Sequence, residues 1–67
     1  MNIQKIKGRM VELEITGTKM AEELGMDPST YYRKMKDNGN EFSVANLYTF
    51  KRVLQLTDQE AQAFLLA

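Results

Sequence analysis

The 67-residue sequence contains neither cysteine nor histidine. Disulfide bonds and the usual zinc sites are therefore excluded, and so are thiol and imidazole catalysis. The sequence also lacks an apolar run near the roughly 20 residues that a membrane-spanning helix needs, and no segment resembles a signal peptide. With 43% hydrophobic and 27% charged residues, the composition is that of an ordinary globular domain. We expect a cytoplasmic protein without a metal, a cofactor or a membrane partner.

Catalytic constellations are also lacking. The carboxylates are scattered over helix-cap positions and exposed faces, and no glycine-rich loop follows a strand. A chain of this length leaves little room for a substrate pocket. We therefore predict that the protein is not an enzyme and has no small-molecule substrate.

The length predicts one small domain over residues 1–67, near the lower size at which a core folds alone. Apolar residues recur at spacings of three and four, and no segment alternates as a strand does. The prediction is an all-α, compact five-helix domain, with helices near 2–14, 17–24, 28–36, 44–54 and 58–67. Its expected core is Ile6, Met10, Leu13, Ile15, Met20, Ala21, Leu24, Met26, Tyr31, Met35, Phe42, Leu47, Phe50, Leu54, Leu56 and Phe64.

Residues 16–36, TGTKMAEELGMDPSTYYRKMK, predict two short helices joined by a tight turn. Thr16 is a capping residue for the first helix, and Gly25 suits the left-handed position that ends it. Asp27 is expected to cap the second helix, with Pro28 at its first position. A small Ala21 on the inner face allows close approach, so the pattern is typical of a helix-turn-helix formed by helices two and three.

Capping signals also place the last two helices. Ser43 is expected to cap helix four, with Phe42 and Leu47 as a hydrophobic staple. Thr57 and Glu60 have the spacing of a capping box that opens the final helix. Asn2 is a candidate cap for helix one.

The net charge is zero, with nine basic and nine acidic residues, but the two signs are separated along the chain. Residues 1–11 carry three bases and no acid, and residues 12–30 carry five acids against one base. Residues 31–54 carry five bases against two acids. The second helix of the pair thus lies in a basic segment, which matters for DNA because attraction to phosphate is local and screened within about 10 Å.

Residues 15–35 resemble the lambda-repressor-like helix-turn-helix family of phage repressors, Cro proteins and xenobiotic-response-element regulators. The usual family pattern is Leu-Thr-Gln-x-x-Leu-Ala-x-x-Leu-Gly-Ile-Ser-x-x-Thr-Ile-Ser. The run from Leu47 to Leu56 is also similar to the family's helix four and the residues that follow it. Two positions depart from the pattern. Gly17 stands where the family usually has a glutamine that contacts phosphate, and Pro28 stands where many members carry a polar base-reading residue.

The resemblance implies a sequence-specific DNA-binding transcriptional regulator of the phage or mobile-element repressor or Cro type, with helix 28–36 in the major groove of double-stranded DNA. Arg33 is the best candidate for base reading, because its planar fork can bond guanine O6 and N7 together. The base-contact candidates are Pro28, Ser29, Tyr32 and Arg33. The phosphate-contact candidates are Thr18, Lys19, Thr30, Lys36, Asn38 and Asn40.

The end of the chain, residues 63–67, is unusually apolar. It either packs on the core or joins a two-fold dimer contact, for which Phe64, Leu65 and Leu66 are candidates. An alternative to the DNA hypothesis is a protein-binding modulator or antirepressor that keeps the helix-turn-helix fold and binds a repressor-type protein. Zero net charge, Gly17, Pro28 and the acidic helix two favour that alternative.

Overall fold

Five α-helices form within residues 1–66, the part of the chain that the computed structural model describes. No strand occurs in this range, so the prediction of an all-α five-helix domain is confirmed. The Cα radius of gyration is 10.6 Å, close to the value of about 11 Å typical of a compact chain of this length. None of the helices in this range is long and apolar enough to cross a membrane. The helices are α1 (Ile3–Glu12), α2 (Gly17–Leu24), α3 (Pro28–Lys36), α4 (Val44–Val53) and α5 (Asp58–Ala61).

Side-chain caps start four of the five helices. The side chains of Asn2, Thr16, Ser43 and Thr57 each accept a hydrogen bond from the backbone N–H three residues later. The predicted capping box of α5 is present, and α4 has a second one in which an asparagine takes the place of glutamate. Each such cap contributes about 1 kcal/mol.

The start of α3 differs from this pattern. Pro28 occupies the first turn as predicted, but the side chain of Asp27 makes no capping hydrogen bond. The expectation of an aspartate cap there is therefore wrong, although Asp27 does hold the capping position. The preset φ of proline starts the helix in its place.

The first four helices share one way of ending. In each, a residue with left-handed φ is followed by a residue whose N–H donates to the carbonyl five positions back, as from Met26 to Ala21 over 3.0 Å. This is the Schellman arrangement, which satisfies carbonyls that the helix end leaves free. Gly25 was predicted at such a position, and Asn38 suits it because asparagine tolerates positive φ. Nothing in the sequence indicated Glu14 or Gln55 there. The left-handed residues are Glu14, Gly25, Asn38 and Gln55.

The core lies where α2 packs against both α3 and α4. Tyr31 is buried there, and its hydroxyl donates to Sδ of Met10 at 3.4 Å. Burial raises the pKa of this phenol to about 12. The ring of Phe42 packs edge-on against the ring of Phe50, with the ring centroids 5.1 Å apart. The buried hydrophobic residues are Ile6, Met10, Met20, Ala21, Leu24, Tyr31, Met35, Phe50, Leu54, Leu56 and Leu65, while Leu13, Ile15, Met26, Phe42, Leu47 and Phe64, also expected in the core, are half-buried.

The last helix departs from the prediction. Its α-helical part ends at Ala61, and residues 62–66 form a π-helical turn. Ala67, predicted as the helix end, lies outside the described residues. The backbone N–H of Asn2 donates to the carbonyl of Phe64 at 2.7 Å, which ties this turn to the start of α1. Residues 63–66 are all apolar, so they have no periodicity from which such a change of register could be predicted.

Candidate nucleic-acid interface

The pair α2 and α3 places one face of α3 in solvent. Ala21 of α2 has no accessible surface, so the two helices approach closely at this point. Gly25, at φ +72°, turns the chain between them. Tyr31 and Met35 point into the core. The opposite side of α3 is consequently the side that can meet a ligand.

Four exposed residues of α3 follow one helical face. Residues at positions i, i+3, i+4 and i+7 of a helix lie on the same face. In α3 these are Ser29, Tyr32, Arg33 and Lys36, and all four are exposed. Pro28 is also exposed at the start of the helix. The structure thus brings three of the four base-contact candidates onto one face together with a phosphate-contact candidate. Thr30, by contrast, is half-buried.

Tyr32 is only 50% exposed because its ring packs over the first residue of α2. A Cβ atom on residue 17 would lie 2.7 Å from Cζ of Tyr32, well inside contact distance. The ring also meets the buried ring of Tyr31 edge-on, with centroids 5.2 Å apart. Gly17 is therefore explained by this packing, which connects the start of α2 to the exposed face of α3.

Arg33 is paired within the chain. Its Nη1 lies 3.4 Å from Oε2 of Glu41, in the loop that follows α3. The neighbouring Lys34 donates to the backbone carbonyl of the same glutamate at 2.9 Å and lies over the ring of Phe42. An exposed ion pair of this kind contributes at most about 1 kcal/mol. Glu41 was not predicted from the sequence, since it lies eight positions after Arg33 in the loop that follows α3.

The phosphate-contact candidates occupy two places. Lys36, Asn38 and Asn40 are exposed at the end of α3 and in the loop after it, and Asn38 has a left-handed φ of 58°. Thr18 and Lys19 are exposed at the start of α2, which the contact between Tyr32 and Gly17 brings beside α3. The ammonium of Lys19 lies 3.6 Å from a carboxylate oxygen of Glu22.

Ion pairs neutralise much of the positive charge. Over residues 1–66, five of the nine basic side chains pair with a carboxylate: Arg9, Lys19, Arg33, Lys51 and Arg52. In the same range, the bases without a carboxylate partner are Lys5, Lys7, Lys34 and Lys36. All four lie on α1 or α3, so the uncompensated positive charge belongs to these two helices.

A groove between α1 and α3 contains two of these lysines. We call it the α1–α3 groove; it is lined by Lys7, Met10, Val11, Ile15, Gly17, Tyr31, Tyr32, Met35 and Lys36. Sequence analysis did not single out Lys7 or Val11. Their spacing of four residues, which puts both on one face of α1, was the available signal.

A second groove lies between α4 and α5. We call it the α4–α5 groove; it is lined by Val44, Leu47, Tyr48, Lys51, Asp58, Ala61, Gln62, Leu65 and Leu66. Leu65 is 7% exposed and belongs to the core, so it offers little accessible surface to a second subunit. Leu66 is 69% exposed, and Phe64 is half-buried under the cations of Lys5 and Arg9.

Comparison of the chain with family models, with curated proteins and with solved structures gives no match. A function can therefore be inferred only from the placement of these side chains and from the resemblance of residues 15–35 to a known pattern.

Proposed function

We propose that this protein is a sequence-specific DNA-binding transcriptional regulator, of the phage or mobile-element repressor or Cro type, that places α3 in the major groove. The observation that carries the proposal is the face of α3 formed by Ser29, Tyr32, Arg33 and Lys36. It is exposed along the helix, whereas Tyr31 on the other side is buried in the core.

The dimensions and chemistry of this face suit DNA. An α-helix with its side chains is about 10–12 Å across, and the major groove of B-DNA is about 12 Å wide. The guanidinium of Arg33 supplies the two parallel donors that guanine O6 and N7 accept. Ser29 can exchange a hydrogen bond with a base edge, and Tyr32 offers a hydroxyl to phosphate or its ring to a thymine methyl group. Pro28 supplies apolar contact alone.

Contacts to the DNA backbone would set the position of α3. Lys36, Asn38 and Asn40 carry donors at its C-terminal end, and Thr18 and Lys19 carry donors at the start of α2. Thr30 is half-buried, so its hydroxyl can contact a phosphate only where the DNA backbone passes close to α3. Such contacts hold the protein in register without specifying sequence.

A homodimer is part of this proposal, because dimeric regulators of this type read two half-sites about one helical turn apart. Of the dimer-contact candidates, the exposed Leu66 and the half-buried Phe64 offer more surface to a second subunit than Leu65 does. Tyr48, exposed beside Leu66 in the α4–α5 groove, extends the apolar surface that a second subunit would cover.

A second candidate function is a protein-binding modulator or antirepressor that acts on a repressor-type protein. The observation that favours it is the intramolecular pairing of five of the nine basic side chains, Arg33 among them. A net charge of zero also provides little general attraction to DNA.

The salt dependence of DNA binding separates the two candidates. Fluorescence anisotropy with a labelled duplex of the DNA upstream of its own gene, and with an unrelated duplex, is measured between about 50 and 200 mM salt. A protein that contacts six or more phosphates should lose affinity by about 10³-fold or more over this range. Absence of binding to either duplex at the lowest salt would refute the DNA proposal and support the modulator.

A further inference from the structure

The α1–α3 groove is apolar along its floor and basic at its rim. Met10, Ile15 and Met35 form apolar surface, while Lys7 and Lys36 carry the only charges of the lining residues. No aspartate or glutamate lines the groove. Its ligand must therefore be apolar where it meets the floor and negative where it meets the rim.

Val11 shows that this apolar surface is not covered within the described chain. Its side chain is 77% exposed although it lies at the groove beside buried Met10. Single exposed apolar residues are common on protein surfaces. Here, however, Val11 of α1 and the half-exposed ring of Tyr32 of α3 line the same groove, so both helices contribute exposed apolar surface to it.

We propose that the α1–α3 groove binds an amphipathic helical segment of a partner protein, with apolar residues on one side and acidic residues flanking them. Charge complementarity supports this occupant, because Lys7 and Lys36 have no carboxylate partner in residues 1–66. The α4–α5 groove differs in this respect, since its Lys51 is already paired with Asp58.

DNA fits the groove less well than such a helix does. A phosphate backbone would satisfy the two lysines, but it would leave Val11, Ile15 and the ring of Tyr32 beside charged oxygens. An apolar helix stripe at three- and four-residue spacing covers these side chains instead and removes their surface from water. The inference does not depend on DNA binding by α3. A partner in the groove would nevertheless cover Tyr32 and Lys36, so it would compete with DNA for that face.

The test uses two labelled helical peptides of about 16 residues, long enough for roughly four turns. Both carry leucines at i, i+3, i+4 and i+7, and the flanking positions are glutamate in one peptide and lysine in the other. Anisotropy titrations with the full chain should show at least tenfold tighter binding of the glutamate peptide. The double variant Lys7→Glu/Lys36→Glu should reverse this preference, because the rim then carries the opposite charge.

Two exposed valines provide matched variants that locate the binding site. Val11→Glu should weaken the glutamate peptide at least tenfold, because it adds like charge to the floor of the groove. Val44→Glu, at a valine 70% exposed in the other groove, should leave the affinity within twofold. Thermal unfolding by circular dichroism confirms that both variants are folded.

Several results would overturn the proposal. They are equal affinity for the two peptides, no binding of the glutamate peptide at millimolar concentration, and equal effects of the two valine variants. Weakened DNA binding by Val11→Glu with unchanged peptide binding would show that DNA occupies the groove instead.

Discussion

The ring of Tyr32 on α3 lies directly over Gly17 at the start of α2, in the space that a side chain at residue 17 would need. The glutamine of the resembled pattern would collide with this ring in its present position. The first turn of α2 therefore meets α3 through an aromatic ring. This contact gives the chain's departure at Gly17 a structural cause.

The contact predicts coupling between the two positions. Gly17→Ala should leave the free energy of unfolding within about 0.5 kcal/mol of the parent value, because alanine favours the helix while the displaced ring loses its packing. Tyr32→Ala should cost about 1 kcal/mol in the parent and clearly less in the Gly17→Ala background. A double-mutant cycle by urea unfolding measures the difference. Equal costs in both backgrounds would show that the contact contributes no stability.

Replacing Gly8 and Gly25 by alanine should change the free energy of unfolding in opposite directions, although both glycines have open surroundings. A Cβ atom at Gly8 or Gly25 would meet nothing within 4 Å, but Gly8 is helical and Gly25 has a φ of +72°. Gly8→Ala should therefore raise the free energy of unfolding by about 0.5–1 kcal/mol. Gly25→Ala should lower it by about 1 kcal/mol, because the left-handed conformation is strained for alanine. A common sign for both changes in urea unfolding would contradict this explanation.

The pairing of Arg33 with Glu41 has a consequence for the proposed DNA binding. Arg33 must leave Glu41 before it can contact a base, and breaking an exposed ion pair costs at most about 1 kcal/mol. Glu41→Gln removes this cost and should therefore raise DNA affinity a few-fold. Arg33→Ala should reduce the ratio of operator to nonspecific affinity, whereas Lys36→Ala should weaken all duplexes alike. Anisotropy with operator and unrelated duplexes measures these effects. Identical changes from the arginine and lysine variants would exclude Arg33 as the base reader.

Leu65 and Leu66 are neighbours with opposite expected behaviour. Leu65→Ala removes a buried side chain and should lower the free energy of unfolding by about 2 kcal/mol or more. Leu66→Ala removes an exposed one and should change it by less than about 0.5 kcal/mol. Urea unfolding measures both, and sedimentation of the Leu66 variant reports whether this residue joins a dimer. A larger stability loss from Leu66→Ala in a monomeric sample would contradict the placement of these side chains.

Glu60 should make stability sensitive to acid. The backbone N–H of Thr57, together with Arg9, holds the pKa of its carboxyl below the ordinary value of 4.5. Because the folded state binds this proton more weakly than the unfolded state, the stabilisation is complete above pH 4.5 and is lost as the pH falls through the lower folded pKa.

Glu60→Gln isolates this contribution, because glutamine can still cap the helix but does not titrate. The parent should be more stable than the variant at about pH 6.5, and this difference should be smaller at about pH 3.5, below the ordinary pKa of 4.5. Urea unfolding at both pH values measures the difference. A constant difference across this range would show that the carboxylate is not the source.

The helices and their ends were largely predictable from the sequence, because they depend on contacts within a few residues. Thr16 and Gly25 delimit α2 at the predicted positions, and the capping box at Thr57 opens α5. Apolar spacing also identified most of the core and the exposed face of α3, since helical periodicity determines which side chains share a face.

Tertiary contacts decided the rest. Three relationships connect separate parts of the chain. Arg33 of α3 pairs with Glu41 in the following loop, Tyr32 of α3 lies over Gly17 of α2, and the α1–α3 groove is lined by both Lys7 and Lys36. The register of Leu65 depends on how the final turn packs on the core and on its bond to Asn2. Local sequence determined where the first four helices begin and end and where α5 begins. It could not determine which side chains would meet, because that depends on how the helices pack against one another.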